Sequence, residues 1–294
     1  MGKQRAPLKS NARHCAVFVT AWLPEPGTWT ATAGIARRQK ILLDGLRATG
    51  MSLHVLFILS PTQFDGSSES AARITTSIRS QWGDDIQVTV SRWSDGRKNS
   101  IWATYIAPAL SFRYQRDYVR FTSPDVIDAM KLVLSGNPVV ALCQGLRCVF
   151  PILQVPNSTT PFLFDMDDIE HVSFARRILE PPVWKSKYLQ YLQIPALAWA
   201  EFVALRRSKV TFVCSRLDQS KLNKLFCTKK AYVLPNAVES RDVRQPSKAF
   251  RFLILGHYSF APNRVGADHF VSRVWPAVVA AHPVVAAHGA LVAI

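Results

Sequence analysis

The chain has 294 residues, enough for two domains of ordinary size. Hydrophobic residues make up 48% and charged residues 19%, with eight Trp and sixteen Phe; such a chain buries real cores and does not read as disordered. Lys and Arg total 36 against 20 Asp and Glu, a formal net charge of +16 that favours anionic partners.

The basic residues are scattered, as in Arg37-Arg38, Arg176-Arg177, Arg206-Arg207 and Lys229-Lys230. No long basic run interleaved with aromatics stands out, so nucleic-acid binding rests on charge alone. A solvated surface and attraction to phosphate-bearing substrates or lipid use the charge better. Cys15, Cys143, Cys148, Cys214 and Cys227 form no C-x-x-C pair and mostly sit in apolar runs. They read as buried, reduced thiols of a cytosolic protein.

Lys3, Arg5, Lys9 and Arg13 precede a short apolar run, in the outline of a secretory signal. The same run, residues 16–21, reads as a buried first strand before a Pro/Gly loop and a helix, and the strand reading agrees with the pattern of the residues after it. No apolar stretch approaches the ~20 residues of a membrane span, so a soluble or peripheral protein is expected.

Short apolar runs then alternate with helical patterns, the signature of a parallel sheet with crossover helices. Strands are expected at 16–21, 53–59, 86–90, 139–143, 162–165, 210–214 and 231–234. The helix at 34–46 carries Ile35, Leu42 and Leu46 on one stripe, with Arg37, Arg38 and Lys40 on the surface. Helices are also expected at 124–134 and 215–226, the latter opening with a capping-box-like Ser215 and Asp218. Residues 187–207 are aromatic and interrupted by Pro195, which predicts a kinked or restarted helix. Its apolar mass faces either the core or a membrane surface.

Residues 237–249 are polar and charged and read as an interdomain linker. A strand at 250–255 and a helix at 266–281, interrupted by Pro276, then begin a second βα unit. A lone unit of this kind cannot cover its own faces, and residues 284–294 are of simple composition. Truncation of a second domain is the expectation.

Dinucleotide, P-loop, nucleophile-elbow and zincin signatures are absent from the sequence. The densest charge feature is Asp165, Asp167, Asp168 and Glu170, directly after the strand at 162–165. Carboxylates at the carboxyl end of a strand suit metal binding or acid/base work. They equally suit a helix N-terminus, where acids complement the dipole. Gly34, between a loop and a helix, suits close approach of a phosphate; it also fits an ordinary turn. Gly256 and His257 form a comparable turn after the first strand of the second unit.

Several elements occur in an order that resembles glycosyltransferase family 4 of the GT-B fold. Tyr232-Val-Leu-Pro-Asn-Ala-Val-Glu239 is similar to the V-x-P-N-G-V-D element ending the family's first domain. Val213-Cys-Ser-Arg-Leu-Asp218 resembles its V-x-S-x-x-D/E element. Ile254-Leu-Gly-His-Tyr-Ser-Phe-Ala-Pro-Asn263 resembles F-x-G-x-x-x-x-x-P-N, and Gly266 with Phe270, Val274, Trp275 and Pro276 continues the pattern. The acidic cluster is similar to an element of a subgroup linked to exopolysaccharide sugar transfer.

The resemblance implies an α/β chain: a Rossmann-like, parallel-sheet acceptor domain at 15–236 after a basic tail at 1–14, then a linker and the truncated start of a Rossmann-like donor domain at 250–294. It implies sugar transfer from a nucleotide-sugar, as co-substrate, to a glycan or lipid-linked acceptor, with no obligatory cofactor or metal. It places Gly34 near the donor phosphates, Gly256 and His257 in the first donor-domain loop, and Asn263 beside the donor. The catalytic residue stays unassigned among Asp165, Asp167, Asp168 and Glu170. The expected location is the cytoplasm, with peripheral contact at the anionic inner face of the membrane. Ala237 stands where the family has Gly, and the family's donor motifs do not appear after residue 283, which predicts impaired transfer by the chain alone. A non-catalytic module binding a glycan or phosphate ligand is the alternative.

Overall fold

The structure, a computed structural model, describes residues 14–24, 34–94, 116–180, 185–236, 251–254, 261–282 and 290–293, with single positions at 102, 106 and 110. Its first seven strands are β1 (Cys15–Thr20), β2 (Ser52–Leu59), β3 (Gln87–Arg92), β4 (Val140–Gln144), β5 (Phe162–Asp165), β6 (Val210–Val213) and β7 (Ala231–Val233). They form one sheet in the order β3-β2-β1-β4-β5-β6-β7, parallel throughout. Apolar runs set these strands, because a parallel sheet is covered on both faces and its strands need no polar side. In β1, Ala16 and Phe18 join one apolar cluster while Val17 and Val19 join the other.

The helices α1 (Gly34–Ala48) and α2 (Ser68–Trp82) supply Leu42, Leu43, Leu46, Ile78 and Trp82 to the first cluster. The opposite face is covered from α3 (Arg116–Phe121), α4 (Pro124–Ser135) and α5 (Leu146–Gln154) onward, with Phe121, Met130, Val133 and Val149 buried. The change of face follows from connection handedness: right-handed crossovers that first build toward β3 and then toward β7 put their helices on opposite sides.

Three local features of the sequence decide helix ends. Ser67 Oγ accepts the Ser70 amide at the start of α2. Pro124 sits in the first turn of α4, where its missing N–H costs nothing. Before α8 (Arg216–Phe226), Ser215 Oγ accepts the Asp218 amide at 3.1 Å and donates to Asp218 Oδ2 at 2.6 Å. The cap is therefore formed, with the acid bound to the serine hydroxyl.

Two expectations on α1 are corrected. Arg38 is buried to 1% exposure and Ile35 is exposed. The reason is helical phase: Arg38, Leu42 and Leu46 succeed one another at four-residue spacing and share a line facing the sheet. Ile35 lies a turn earlier, at the open end of the helix. The thiol reading also needs one correction. Cys143 and Cys148 are buried, Cys15 and Cys214 partly so, and Cys227 is exposed at the left-handed end of α8; all are free thiols.

Between α6 (Glu170–Leu179) and α7 (Ile194–Arg207) a 3-10 helix spans Lys185–Gln193. Pro195 lies in the first turn of α7, so the interruption is a restart. Its apolar mass is divided between core and solvent. Ala196, Leu197, Ala204 and Leu205 face the core, while Tyr188, Leu189, Tyr191, Leu192 and Trp199 are exposed.

The second unit comprises β8 (Arg251–Ile254), α9 (Ala261–His269), a π-helical turn at Phe270–Val274, α10 (Trp275–Ala281) and β9 (Ala290–Ala293). Helical backbone continues without a gap from Ala261 to Ala281, and Pro276, in the first turn of α10, is preceded by the π-helical turn instead of by a break. The helical run starts at Ala261, ahead of the expected Gly266. Strand β9 pairs in parallel with β8 and arises from the stretch read as simple sequence. Phe252 and Trp275 stack edge to face at 5.0 Å within this unit. The linker at 237–249 lies outside the described residues.

Candidate functional site

The strand order reverses at β1, with β2 on one side and β4 on the other. Ligands of open α/β sheets bind in the crevice beyond the carboxyl ends of the strands at such a point. Here those ends carry Thr20 on β1 and Gln144 on β4, both buried. Thr20 Oγ1 donates to Gln144 Oε1 at 2.8 Å. From α1, Gln39 Nε2 donates to Thr20 Oγ1 at 2.8 Å, to the Trp22 carbonyl at 3.1 Å and to Gln144 Oε1 at 3.1 Å. The Trp22 carbonyl fixes the Gln39 amide, because only its NH2 end can face another oxygen. Gln39 Oε1 and Gln144 Nε2 are left buried with no hydrogen-bond partner among the described residues.

Gly145 follows at φ +78° and ψ 155°, a backbone region essentially reserved for glycine. Its N–H donates to the Asp165 carbonyl at 2.8 Å, tying the ends of β4 and β5 together. That turn starts α5 at the same edge of the sheet from which α1 starts at Gly34.

The second cluster is ionic. Arg38 Nε donates to both Asp165 carboxylate oxygens at 2.9 Å, and Nη2 reaches Oδ1 at 2.5 Å. Its Nη1 donates to the Leu234 carbonyl at 2.9 Å and to Asn236 Oδ1 at 3.2 Å. Asp167 stands 3.6 Å from Nε and accepts the Cys214 thiol at 2.9 Å. One guanidinium thus joins α1, the end of β5 and the segment leaving β7. Burial pulls Arg38 down, but the hydrogen bond and charge of Asp165 outweigh it and hold its pKa above the ordinary value. Burial pushes the Asp165 carboxyl up, opposed by Arg38. For Cys214, burial and then the Asp167 carboxylate push the thiol up to about 12.

The expected site residues are dispersed by this arrangement. Asp165 is wholly buried and occupied by Arg38. Asp167 is 43% exposed. Asp168 is exposed, and its pKa is raised by partial desolvation and by Asp167 and Asp218. Glu170 is the first residue of α6, the dipole-complementing position. Gly34 opens α1, and an added Cβ there would meet nothing within 4 Å. Asn263 lies exposed in α9, while Gly256 and His257 fall outside the described residues. Among the described residues no group of three His, Cys, Asp or Glu gathers as a metal site.

Sequence reasoning missed Thr20, Gln39, Gln144 and Arg38. Arg38 carried a readable signal: a charge placed four residues before Leu42 on the apolar stripe requires a buried partner. The two glutamines carried none, because their meeting depends on sheet order.

No protein-family model matches the chain, and no curated protein matches it. Among solved structures, the sucrose-phosphate synthase of Thermosynechococcus elongatus aligns over 96% of this chain and 62% of that one, with a TM-score of 0.54 and 11% identity. Medicago truncatula UGT71G1 complexed with UDP-glucose aligns over 87% and 64%, with a TM-score of 0.46 and 17% identity. Phytolacca americana UGT2, complexed with UDP-2fluoro-glucose and pterostilbene, aligns over 96% and 72%, at 0.43 and 12%. The chain therefore spans less than two thirds of the first two proteins. Together with the doubly wound seven-stranded sheet, the likeness to the synthase shows the fold alone: α/β and Rossmann-like, with a parallel sheet.

Proposed function

We propose that the protein is a glycosyltransferase of family 4 kind, moving a sugar from a nucleotide-sugar to a glycan or lipid-linked acceptor. The reading places it in surface or exopolysaccharide synthesis, at the cytoplasmic face of an anionic membrane. It rests above all on the order reversal between β1 and β4, with polar side chains gathered at the carboxyl ends and the family-like motifs following in sequence. The acceptor lies in the crevice at Thr20 and Gln144. The donor diphosphate lies toward the N-terminus of α1 at Gly34, where the helix dipole and amides with no partner inside the helix favour an anion. Gly256, His257 and Asn263 complete the donor side.

The acids divide the work. Asp165 with Arg38 shapes the floor and is positional. Asp168 is the proton acceptor for the attacking hydroxyl, because it is exposed beyond β5 and its raised pKa makes it a better base.

Titration calorimetry with nucleoside diphosphates, paired with transfer of labelled sugar to glycan and glycolipid acceptors, tests the reading. Saturable heat is expected, with slow, impaired transfer that falls roughly 100-fold further in Asp168→Asn. A folded chain giving glycan binding without nucleoside diphosphate binding or transfer indicates the non-catalytic module and overturns the proposal.

A further inference from the structure

Large apolar side chains are exposed in close succession on the segment that runs from the end of α6 into α7. The 3-10 helix exposes Tyr188, Leu189, Tyr191 and Leu192 within five residues, at 53%, 38%, 37% and 40%. Leu179, at the end of α6, is 67% exposed, and Trp199 on α7 is 48% exposed. Lys187 is buried and its ammonium donates to the Glu180 carbonyl, which seats the end of α6 against the start of the 3-10 helix. Exposed large apolar side chains scattered singly are ordinary; four within five residues, on a helix packed against α6 and α7, mark a surface that something else covers.

The charge around it points to what covers it. Residues 171–207 contain six Lys and Arg against two Glu, and one of those acids, Glu201, is fully buried against His171. Arg176 and Arg177 close α6 beside Leu179, and Arg206 and Arg207 close α7, all four exposed. Arg206 lies 6.0 Å from the Phe202 ring, itself 5.4 Å from Trp199. The apolar group is therefore flanked by cations at the ends of two helices. Tyrosine and tryptophan among leucines, edged by arginine, is the chemistry of the boundary between headgroups and acyl chains. A second copy of this chain would bring the same cations together and repel itself.

We infer that the face formed by Leu179, Tyr188, Leu189, Tyr191, Leu192 and Trp199, edged by Arg176, Arg177, Arg206 and Arg207, docks the protein onto an anionic phospholipid bilayer. It deepens the membrane contact of the functional reading and rests on that part of it alone. The apolar side chains enter the headgroup boundary while the arginines meet lipid phosphates.

Flotation of the full chain with vesicles tests this without any sugar donor, so its outcome is separate from that of the transfer assay. Binding is expected to vesicles of equimolar phosphatidylcholine and phosphatidylglycerol at low salt, and to fall as salt screens the arginines. Replacing Arg176 and Arg177 with Gln should weaken it roughly 30-fold, at the usual worth of two cations near an anionic surface. Tyr188→Ser, Leu189→Ser, Tyr191→Ser and Leu192→Ser combined should abolish it, while Leu217→Ser, an exposed leucine of α8, should leave it unchanged. In wild type, brominated lipid should quench tryptophan emission, and Trp199→Phe should remove the larger part of that quenching. Equal binding to pure phosphatidylcholine, no flotation of the wild type, or Arg176 and Arg177 variants that bind normally would overturn the inference. So would a dimer, seen by sedimentation, that the four serines dissolve.

Discussion

Arg38 and Asp165 form an ion pair with both side chains out of water, at 1% and 0% exposure. The carboxylate is gripped by Nε and Nη2, and Nη1 is left to hold the Leu234 carbonyl and Asn236. Removing either partner leaves the other charge buried and uncompensated, which costs about 3–5 kcal/mol. Arg38→Ala and Asp165→Ala should each lower stability by that amount in urea unfolding. Combining Arg38→Met with Asp165→Leu should recover most of the loss, since a buried ion pair exchanged for apolar groups is often neutral. A double variant losing as much as the two single losses added would refute a coupled pair.

The turn between β4 and α5 makes a second, independent test. Gly145 holds φ +78° and ψ 155° with open space where a Cβ would stand. The cost of a side chain there is therefore conformational and owes nothing to a clash. Gly145→Ala should destabilise the fold by about 1–3 kcal/mol. Gly34→Ala, at ordinary helical backbone with the same open space, should be neutral or mildly stabilising by comparison. Equal effects of the two substitutions in thermal unfolding would contradict this account.

The contrast between Leu42 and Gln39 explains how much of the molecule is legible in its sequence. Leu42 belongs to a periodic pattern, and such patterns gave every strand of the main sheet to within about two residues. The restart at Pro195 and the π-helical turn ahead of Pro276 are equally local, since a missing N–H acts within one turn. Gln39, Thr20 and Gln144 converge only because β4 inserts beside β1, a long-range choice that no window of sequence encodes. The acidic cluster was located correctly at the end of β5, but its roles depend on Arg38, which is more than a hundred residues away in the chain. Strand β9 is not legible because only Leu291 and Val292 of its four residues favour a strand, the other two being Ala.

Thiol reactivity separates the cysteines by environment. Cys227 is exposed, Cys214 is half-buried with its thiol pushed up to about 12, and Cys143 and Cys148 are buried. At pH 8 a group titrating near 12 is thiolate to about one part in ten thousand, and the thiolate is the nucleophile. Mass spectrometry after brief iodoacetamide treatment should find Cys227 modified well ahead of Cys214. Asp167→Ala should speed Cys214, because the carboxylate that disfavours its ionisation is gone. Unchanged Cys214 kinetics in that variant would remove Asp167 from the explanation.

Cys148 extends the same chemistry to stability. Burial, foremost among its influences, raises its thiol from 9.0 to about 12. The folded state therefore keeps this proton where the unfolded chain gives it up. The thiol's contribution is fully present below pH 9 and declines as pH rises toward 12. Lysines and tyrosines titrate in the same range, so the informative quantity is the gap between wild type and Cys148→Ala. At pH 8 the variant should be less stable by roughly 1–2 kcal/mol, the cost of a small cavity. Above pH 9 the gap should close, by at most ~1.4 kcal/mol per pH unit, because alanine has no proton to lose. Urea unfolding at several alkaline pH values measures it. Curves that stay parallel would mean that Cys148 ionises in the folded protein as readily as in the unfolded one, and that its burial carries no electrostatic consequence.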